Sequence, residues 1–303
     1  MASITDEITH EFPRLFRVYK DGRIERYPAS PYVEADRDPT TGVESKDVVI
    51  SSEPSIKARV FIPRIDDPDE KLPLVLHYHG GAFCIGSPFN AITHNFLTSF
   101  VSQIRAIAVS VDYRLAPENP LPIPFEDSWA SMQWIAAHFG GKGPEPWINQ
   151  HADMGRVFLA GESAGGTIAH NIAVRAGAKG TAGFGVRGLI IMHPYFANEE
   201  PDELIKYIYP TCSGLFDDPI LNPEADPDLS KLVCSRVFVC VAEQDWLKPR
   251  GLSYYEILKG SGYGGTVEFV ETEGESHCFH VFNPTCEKAL ALNRAMASFI
   301  NQD

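Results

Sequence analysis

The sequence lacks what a membrane span, a nucleic-acid surface or a structural metal site would need. No run approaches the roughly 18 apolar residues required to cross a bilayer. Basic residues are scarce, 26 Lys and Arg against 40 Asp and Glu, which leaves a net charge of −14. A phosphate backbone demands a basic face, so nucleic-acid binding is excluded as an expectation and the acidity is assigned to solubility. The six cysteines (Cys84, Cys212, Cys234, Cys240, Cys278, Cys286) contain no C-x-x-C pair. Most fall in or beside apolar runs and read as reduced, packed thiols. No His or Cys pair has zinc-type spacing with a matching second pair, so no metal is expected. The stretch Met1–Glu7 is acidic and has no apolar leader, and Asn301-Gln302-Asp303 is no peroxisomal signal; a cytoplasmic protein is expected. No repeat or low-complexity tract is present, and no feature marks an oligomer interface.

What the chain does have is an alternation of short apolar runs and helical patterns along 303 residues, 44% of them hydrophobic. That alternation, without a long linker, predicts an α/β fold built on one mostly parallel sheet. Strands are expected near Val48–Ile50, Ala58–Ile62, Leu72–Tyr78, Ala106–Val111, Val157–Ala160, Arg236–Ala242 and Thr266–Val270. A hairpin is expected over Leu15–Tyr27, turning at Asp21-Gly22. Pro124 to Ala137 reads as an amphipathic helix with Trp129 and Trp134 towards the core.

Gly161-Glu162-Ser163-Ala164-Gly165 follows the run Val157–Ala160 directly. A serine in a G-x-S-x-G frame between strand and helix is held in a strained turn with its hydroxyl clear of the sheet. A Cβ on either flanking glycine would collide with neighbouring backbone. The helix after it aims its N-terminus at the place where negative charge develops. Tyr78-His79-Gly80-Gly81-Ala82-Phe83 follows another buried strand. Its glycines let backbone N–H groups converge, so Gly80 and Gly81, with Ala164, are the candidate oxyanion donors. One such donor is worth roughly 3 kcal/mol in a transition state.

The acid and base lie past the carboxyl ends of two later strands, where open α/β sheets place their sites. Asp245 is the candidate acid, with Glu243 as competitor. His277 is the candidate base, with His280 as competitor inside the apolar stretch Phe279–Phe282; the other eight histidines read as local structural residues. The chain order Ser163, Asp245, His277 is that of α/β-hydrolases. A serine alcohol cannot attack a carbonyl at neutral pH unless a base takes its proton, and the acid fixes that base's tautomer and supports the imidazolium.

On these residues the chain resembles the hormone-sensitive-lipase branch of the α/β-hydrolases, and within it the plant carboxylesterases akin to 2-hydroxyisoflavanone dehydratase. The branch hallmark is Asp112-Tyr113-Arg114-Leu115-Ala116-Pro117-Glu118, with His79-Gly80-Gly81-Ala82-Phe83 as oxyanion motif. The plant group is suggested by Phe16–Arg23, His193-Pro194-Tyr195-Phe196, Asp217-Asp218-Pro219, Asn222-Pro223 and Phe282-Asn283-Pro284. The matches span about residues 12 to 300. The resemblance implies a single α/β-hydrolase domain over 1–303, capped by about 1–40 and 197–220. It implies no cofactor and a small-molecule ester as substrate, with Phe12, Phe16, Ile205 and Tyr209 lining the pocket. It also implies two other jobs, a dehydratase or cyclase acting on a plant specialised metabolite and a hormone receptor. Retention of His277 argues against the receptor. Serine at position 163, where the similar isoflavanone dehydratases carry threonine, argues for hydrolysis. Pro249 stands where relatives often have a second aspartate, and the stretches between Phe196 and Phe216 and from Phe139 to Pro146 are short for the family.

Overall fold

A computed structural model describes residues 6–27, 30–180, 184–197, 202–212 and 217–302. Residues 1–5, 28–29, 198–201 and 213–216 of the expected cap, Phe216 among them, lie outside the described residues, as do 181–183 and Asp303.

The chain opens with β1 (Ile8–Phe12), β2 (Phe16–Tyr19) and β3 (Ile24–Arg26), a three-stranded antiparallel sheet. Gly22 takes φ 83° at the β2–β3 turn, the left-handed conformation that the expected Asp21-Gly22 turn requires. Then come β4 (Glu44–Ser52), β5 (Ser55–Ile62), β6 (Leu72–Tyr78), α1 (Ala91–Ile104), β7 (Ile107–Asp112), α2 (Ile123–Ala136) and α3 (Pro146–His151). The remainder is β8 (Ala152–Glu162), α4 (Ala164–Lys179), β9 (Val186–Met192), α5 (Glu203–Ile208), β10 (Arg236–Ala242), α6 (Lys248–Gly260), β11 (Thr266–Thr272), α7 (Phe279–Phe282) and α8 (Glu287–Asn301).

Eight strands form the main sheet in the order β11-β10-β9-β8-β6-β7-β5-β4. All neighbours from β11 to β7 are parallel, and β5 and β4 continue antiparallel at one edge. The central strands β6, β9 and β10 are buried at nearly every position because both faces are covered. Side chains alternate between those faces. Leu74, Leu76, Val157, Leu159, Val237 and Val239 join one buried cluster with residues of α2, α4 and α6. Val75, Phe158, Ala160, Phe238 and Cys240 join the other with Phe96, Phe100, Met296 and Phe299 of α1 and α8. Trp129 and Trp134 are half-buried and pack against the first cluster. The Arg175 guanidinium lies 4.5 Å over the Trp129 ring.

The small sheet rests on the segments that follow the glycine loop. Arg26 at the end of β3 donates to the carbonyls of Cys84 (2.7 Å) and Ala116 (3.0 Å) and pairs with Glu118 at 2.6 Å. Tyr207 of α5 packs on Phe12 of β1 (ring centroids 5.2 Å) and Phe16 of β2 (6.2 Å). Leu121 donates its N–H to Ile208 at the end of α5 (2.9 Å). Within the described residues no helix is long and apolar enough to cross a membrane.

Candidate active site

Ser163 sits between β8 and α4 at φ 55°, ψ −121°, a region that L residues avoid. Hydrogen bonds from both sides hold it there. Its N–H donates to Met192 at the end of β9 (2.9 Å), and its carbonyl accepts from Tyr195 (3.1 Å) and Gly166 (3.0 Å). The flanking glycines are needed for the reason expected. A Cβ on Gly161 would stand 2.2 Å from the carbonyl oxygen of Gly165, and one on Gly165 would stand 1.9 Å from that of Tyr78.

The fold brings the three side chains together from the ends of three strands. The Ser163 hydroxyl lies 3.0 Å from Nε2 of His277, and Nδ1 of His277 lies 2.8 Å from Oδ2 of Asp245. A carboxylate can only accept, so the Nδ1–H donates to Asp245 and Nε2 is left as the acceptor for the serine proton. Asp245 also accepts the N–H of Leu247 at Oδ1 (2.8 Å). Burial opposes its charge, yet the bonds from His193 and His277 outweigh burial and hold the carboxyl well below its ordinary range. The competitors fall away on geometry. The Glu243 carboxylate accepts the N–H of Gly274 (2.6 Å) on an exposed loop. His280 is buried, its ring stacked on His193 (5.2 Å) and edge-on to Phe96 (5.3 Å).

The glycine loop requires a correction. Gly80 lies beside the serine, since a Cβ built on it would stand 3.3 Å from the Ser163 Cβ. Its N–H, however, donates to Oε1 of Glu162 at 2.7 Å and is not free for an oxyanion. The N–H groups of Gly81, Ala82 and Ala164 have no acceptor among the described residues. Ala82, and not Gly80, therefore offers the free amide next to that of Gly81. Gly81, Ala82 and Phe83 all adopt positive φ (110°, 54° and 64°), which curls successive amides inwards.

Buried polar side chains clamp this curl. Oε2 of Glu162 lies 2.8 Å from Nε2 of His77, whose Nδ1 lies 2.9 Å from the Ser110 hydroxyl. The Tyr113 hydroxyl donates to the His79 carbonyl (2.6 Å), and the two rings stack at 4.3 Å. Arg114, next in the chain, places three donors on the buried Asp127 at 2.7 to 2.9 Å. The Asp112–Glu118 segment thus buttresses the loop that carries the amides.

One thiol borders the triad and a second follows the glycine loop. The Cys278 sulfur lies 3.5 Å from Nε2 of His277, and burial raises its pKa far above the ordinary thiol range. Burial likewise pushes Cys84 up to about 12. Neither is a thiolate near neutrality.

Among the expected pocket residues, Phe16 is a second correction. It has no accessible surface, because Phe12, Tyr207 and the main core enclose it. Ile205 and Tyr209 are buried too, and Phe12 is half-buried. Sequence reasoning missed Trp246, which is 66% exposed with its ring 6.1 Å from that of His277. It also missed His193, whose Nδ1 lies 2.9 Å from the same Asp245 oxygen that His277 uses.

Comparison with known proteins agrees with this architecture. Residues 75–281 match the model of the α/β hydrolase fold family. The chain is 42% identical to probable carboxylesterase 5 of Arabidopsis thaliana, covering 97% of this chain and 98% of that protein. It is 39% identical to a 2-hydroxyisoflavanone dehydratase of Glycyrrhiza echinata, covering 97% and 96%. A solved esterase of Pyrobaculum calidifontis superposes with TM-score 0.70 at 29% identity, over 85% of this chain and 84% of that one. Sheet order, serine elbow and near-complete alignment lead to one assignment: this chain belongs to the α/β-hydrolase fold family, in the group of plant carboxylesterases that its sequence resembles.

Proposed function

We propose that the chain is a serine carboxylesterase acting on small-molecule carboxylic esters, with Ser163 as nucleophile, His277 as general base and acid, and Asp245 as its partner. The observation that carries this reading is the unbroken relay of 3.0 and 2.8 Å from the Ser163 hydroxyl through His277 to Asp245. Ser163 attacks the ester carbonyl while Nε2 of His277 takes its proton. The N–H groups of Gly81, Ala82 and Ala164 then hold the oxyanion, and His277 returns the proton to the departing alcohol. Water activated by the same imidazole releases the acid. The chemistry needs no cofactor. Trp246 borders the imidazole and offers an apolar face to the alcohol or acyl group, and the cap is formed by β1–β3 with the chain around α5. A cytoplasmic setting in plant specialised metabolism is part of the same proposal.

The test is rapid-mixing kinetics with a p-nitrophenyl acyl ester. A burst of nitrophenol equal to the enzyme concentration, absent from Ser163→Ala, is expected of an acyl-enzyme. Turnover unchanged by Ser163→Ala would remove the serine from the reaction. A second reading, a lyase using His277 to abstract a proton, is favoured by the 39% identity to a 2-hydroxyisoflavanone dehydratase. Elimination that survives in Ser163→Ala while hydrolysis is lost would select it.

A further inference from the structure

We infer that His193 is a positioning residue for Asp245, so that the site is a tetrad in which two imidazoles share one carboxylate oxygen. The inference rests on the triad reading above and adds a fourth member to it.

His193 follows β9 and is fully enclosed. Its Nδ1 lies 2.9 Å from Oδ2 of Asp245, and the Nδ1 of His277 lies 2.8 Å from that oxygen. Nε2 of His193 is buried and has no hydrogen-bond partner among the described residues. The ring has one proton to place while neutral, and burial lowers its pKa despite the neighbouring carboxylate. An anionic acceptor at Nδ1 and nothing at Nε2 put that proton on Nδ1. Asp245 thereby receives three donors from three parts of the chain: His193 after β9, His277 after β11, and Leu247 at the start of α6.

The backbone carries the same message. His193 has φ 48°, in the left-handed region shared with Ser163 (55°) and Cys278 (52°). Each costs conformational energy that persists only where surrounding contacts fix it. The His193 amide is pinned to the Cys240 carbonyl on the neighbouring strand β10 (2.9 Å), which leads to Asp245. The ring is then wedged edge-on to Phe279 (6.0 Å) and face-on to His280 (5.2 Å). A side chain needed only to fill this space would be better apolar, since burying an unpartnered nitrogen costs free energy.

Two consequences follow for the reaction. The carboxylate cannot rotate away when His277 moves to pass its proton, because His193 and Leu247 hold it from other sides. A donor on Oδ2 also withdraws charge from the carboxylate and weakens its grip on the His277 imidazolium. The charged or titratable groups around the pair are His277, His280, Glu162, Cys240 and Cys278. With the thiols protonated at neutral pH, the His193 bond is the adjustable contact on Oδ2.

The test compares wild type with His193→Phe, which keeps the ring shape without a donor, and His193→Asn, whose amide N–H restores a donor near the Nδ1 position. Proton NMR reads the geometry without turnover. Two exchangeable imidazole protons are expected downfield of the amide envelope, one lost in His193→Phe and the other in His277→Phe. A single downfield proton lost only with His277 would overturn the shared-oxygen arrangement. Activity is then measured per site titrated by an organophosphate, so unfolded protein is not counted. His193→Phe is expected to lose on the order of tenfold or more in kcat with KM within about twofold, since a small misplacement of the acid disturbs the whole relay. Its acid limb in kcat/KM is expected to move to higher pH, and His193→Asn is expected to recover most of kcat. Wild-type kcat and acid limb in His193→Phe, or equal losses in both variants with no shift of the limb, would reduce His193 to packing. Absence of serine labelling in wild type would instead sink the hydrolase reading, while the NMR count would still decide the geometry.

Discussion

Glu162 is the residue inside the serine motif that faces the oxyanion loop, and replacing it should disable the loop while leaving the triad in place. Its two oxygens accept from the half-buried Gly80 N–H at 2.7 Å and bond the buried His77 at 2.8 Å. Leucine fills similar volume but strands the buried His77 nitrogen, at about 1 to 3 kcal/mol, and the half-buried Gly80 N–H, at the lower end of that range. With some relief from the added apolar contact, Glu162→Leu should lose about 2 to 4 kcal/mol of stability. Release of Gly80 lets Gly81 and Ala82 drift from the oxyanion position. One misplaced donor is worth on the order of 100-fold in kcat. Glutamine should be far milder. Its amide oxygen still accepts from Gly80, and its amide N–H can donate to Nε2 of His77 once the His77 proton moves to Nδ1 and onto the Ser110 hydroxyl, 2.9 Å away. That rearrangement should cost about 1 kcal/mol, near the net worth of one hydrogen bond. The assay is steady-state hydrolysis of a p-nitrophenyl ester beside thermal melts. A folded Glu162→Leu protein with kcat within twofold of wild type would refute the claim that this carboxylate holds the loop.

Other consequences follow from the buried titratable groups. Burial depresses His79 from 6.5 to about 4 and His170 to about 3. The unfolded chain therefore binds protons that the native chain refuses, so stability is complete above about pH 6.5 and declines as pH falls towards these values. The His79 difference alone is on the order of 3 kcal/mol; denaturant melts at pH 7 and pH 5 should show the loss, and equal midpoints would contradict it. Asp127→Ala removes the acceptor of three donors from Arg114. It should cost about 3 kcal/mol, because Arg114 is only partly shielded and regains some hydration. A melt unchanged by this substitution would mean that the buttress behind the glycine loop contributes nothing.

Much of the site was legible because its residues follow apolar strands at short range. Ser163 stands one residue past β8, Asp245 three past β10 and His277 five past β11, so the strand pattern and the rule about carboxyl ends locate all three. Glycine at 161 and 165 was likewise readable, since the sharp turn forbids a Cβ on steric grounds. Donation by a backbone amide leaves no such mark. The partner of Gly80 is 82 residues away, and nothing local distinguishes its N–H from those of Gly81 and Ala82. His193 was invisible for the same reason, lying 52 residues from the aspartate it touches. The apolar pattern of Phe12 and Phe16 was clear, but only tertiary packing decides that Phe16 is sealed and that Tyr207 packs against both rings. Trp246 was in view beside Asp245, and its exposure became evident only once the strand ends were assembled.

The most direct test of the central claim is intact-protein mass spectrometry after exposure to an organophosphate such as paraoxon. One phosphoryl adduct per chain is expected, located on Ser163 and absent from Ser163→Ala. Folded protein that takes no adduct, or takes it on another residue, would contradict an activated Ser163.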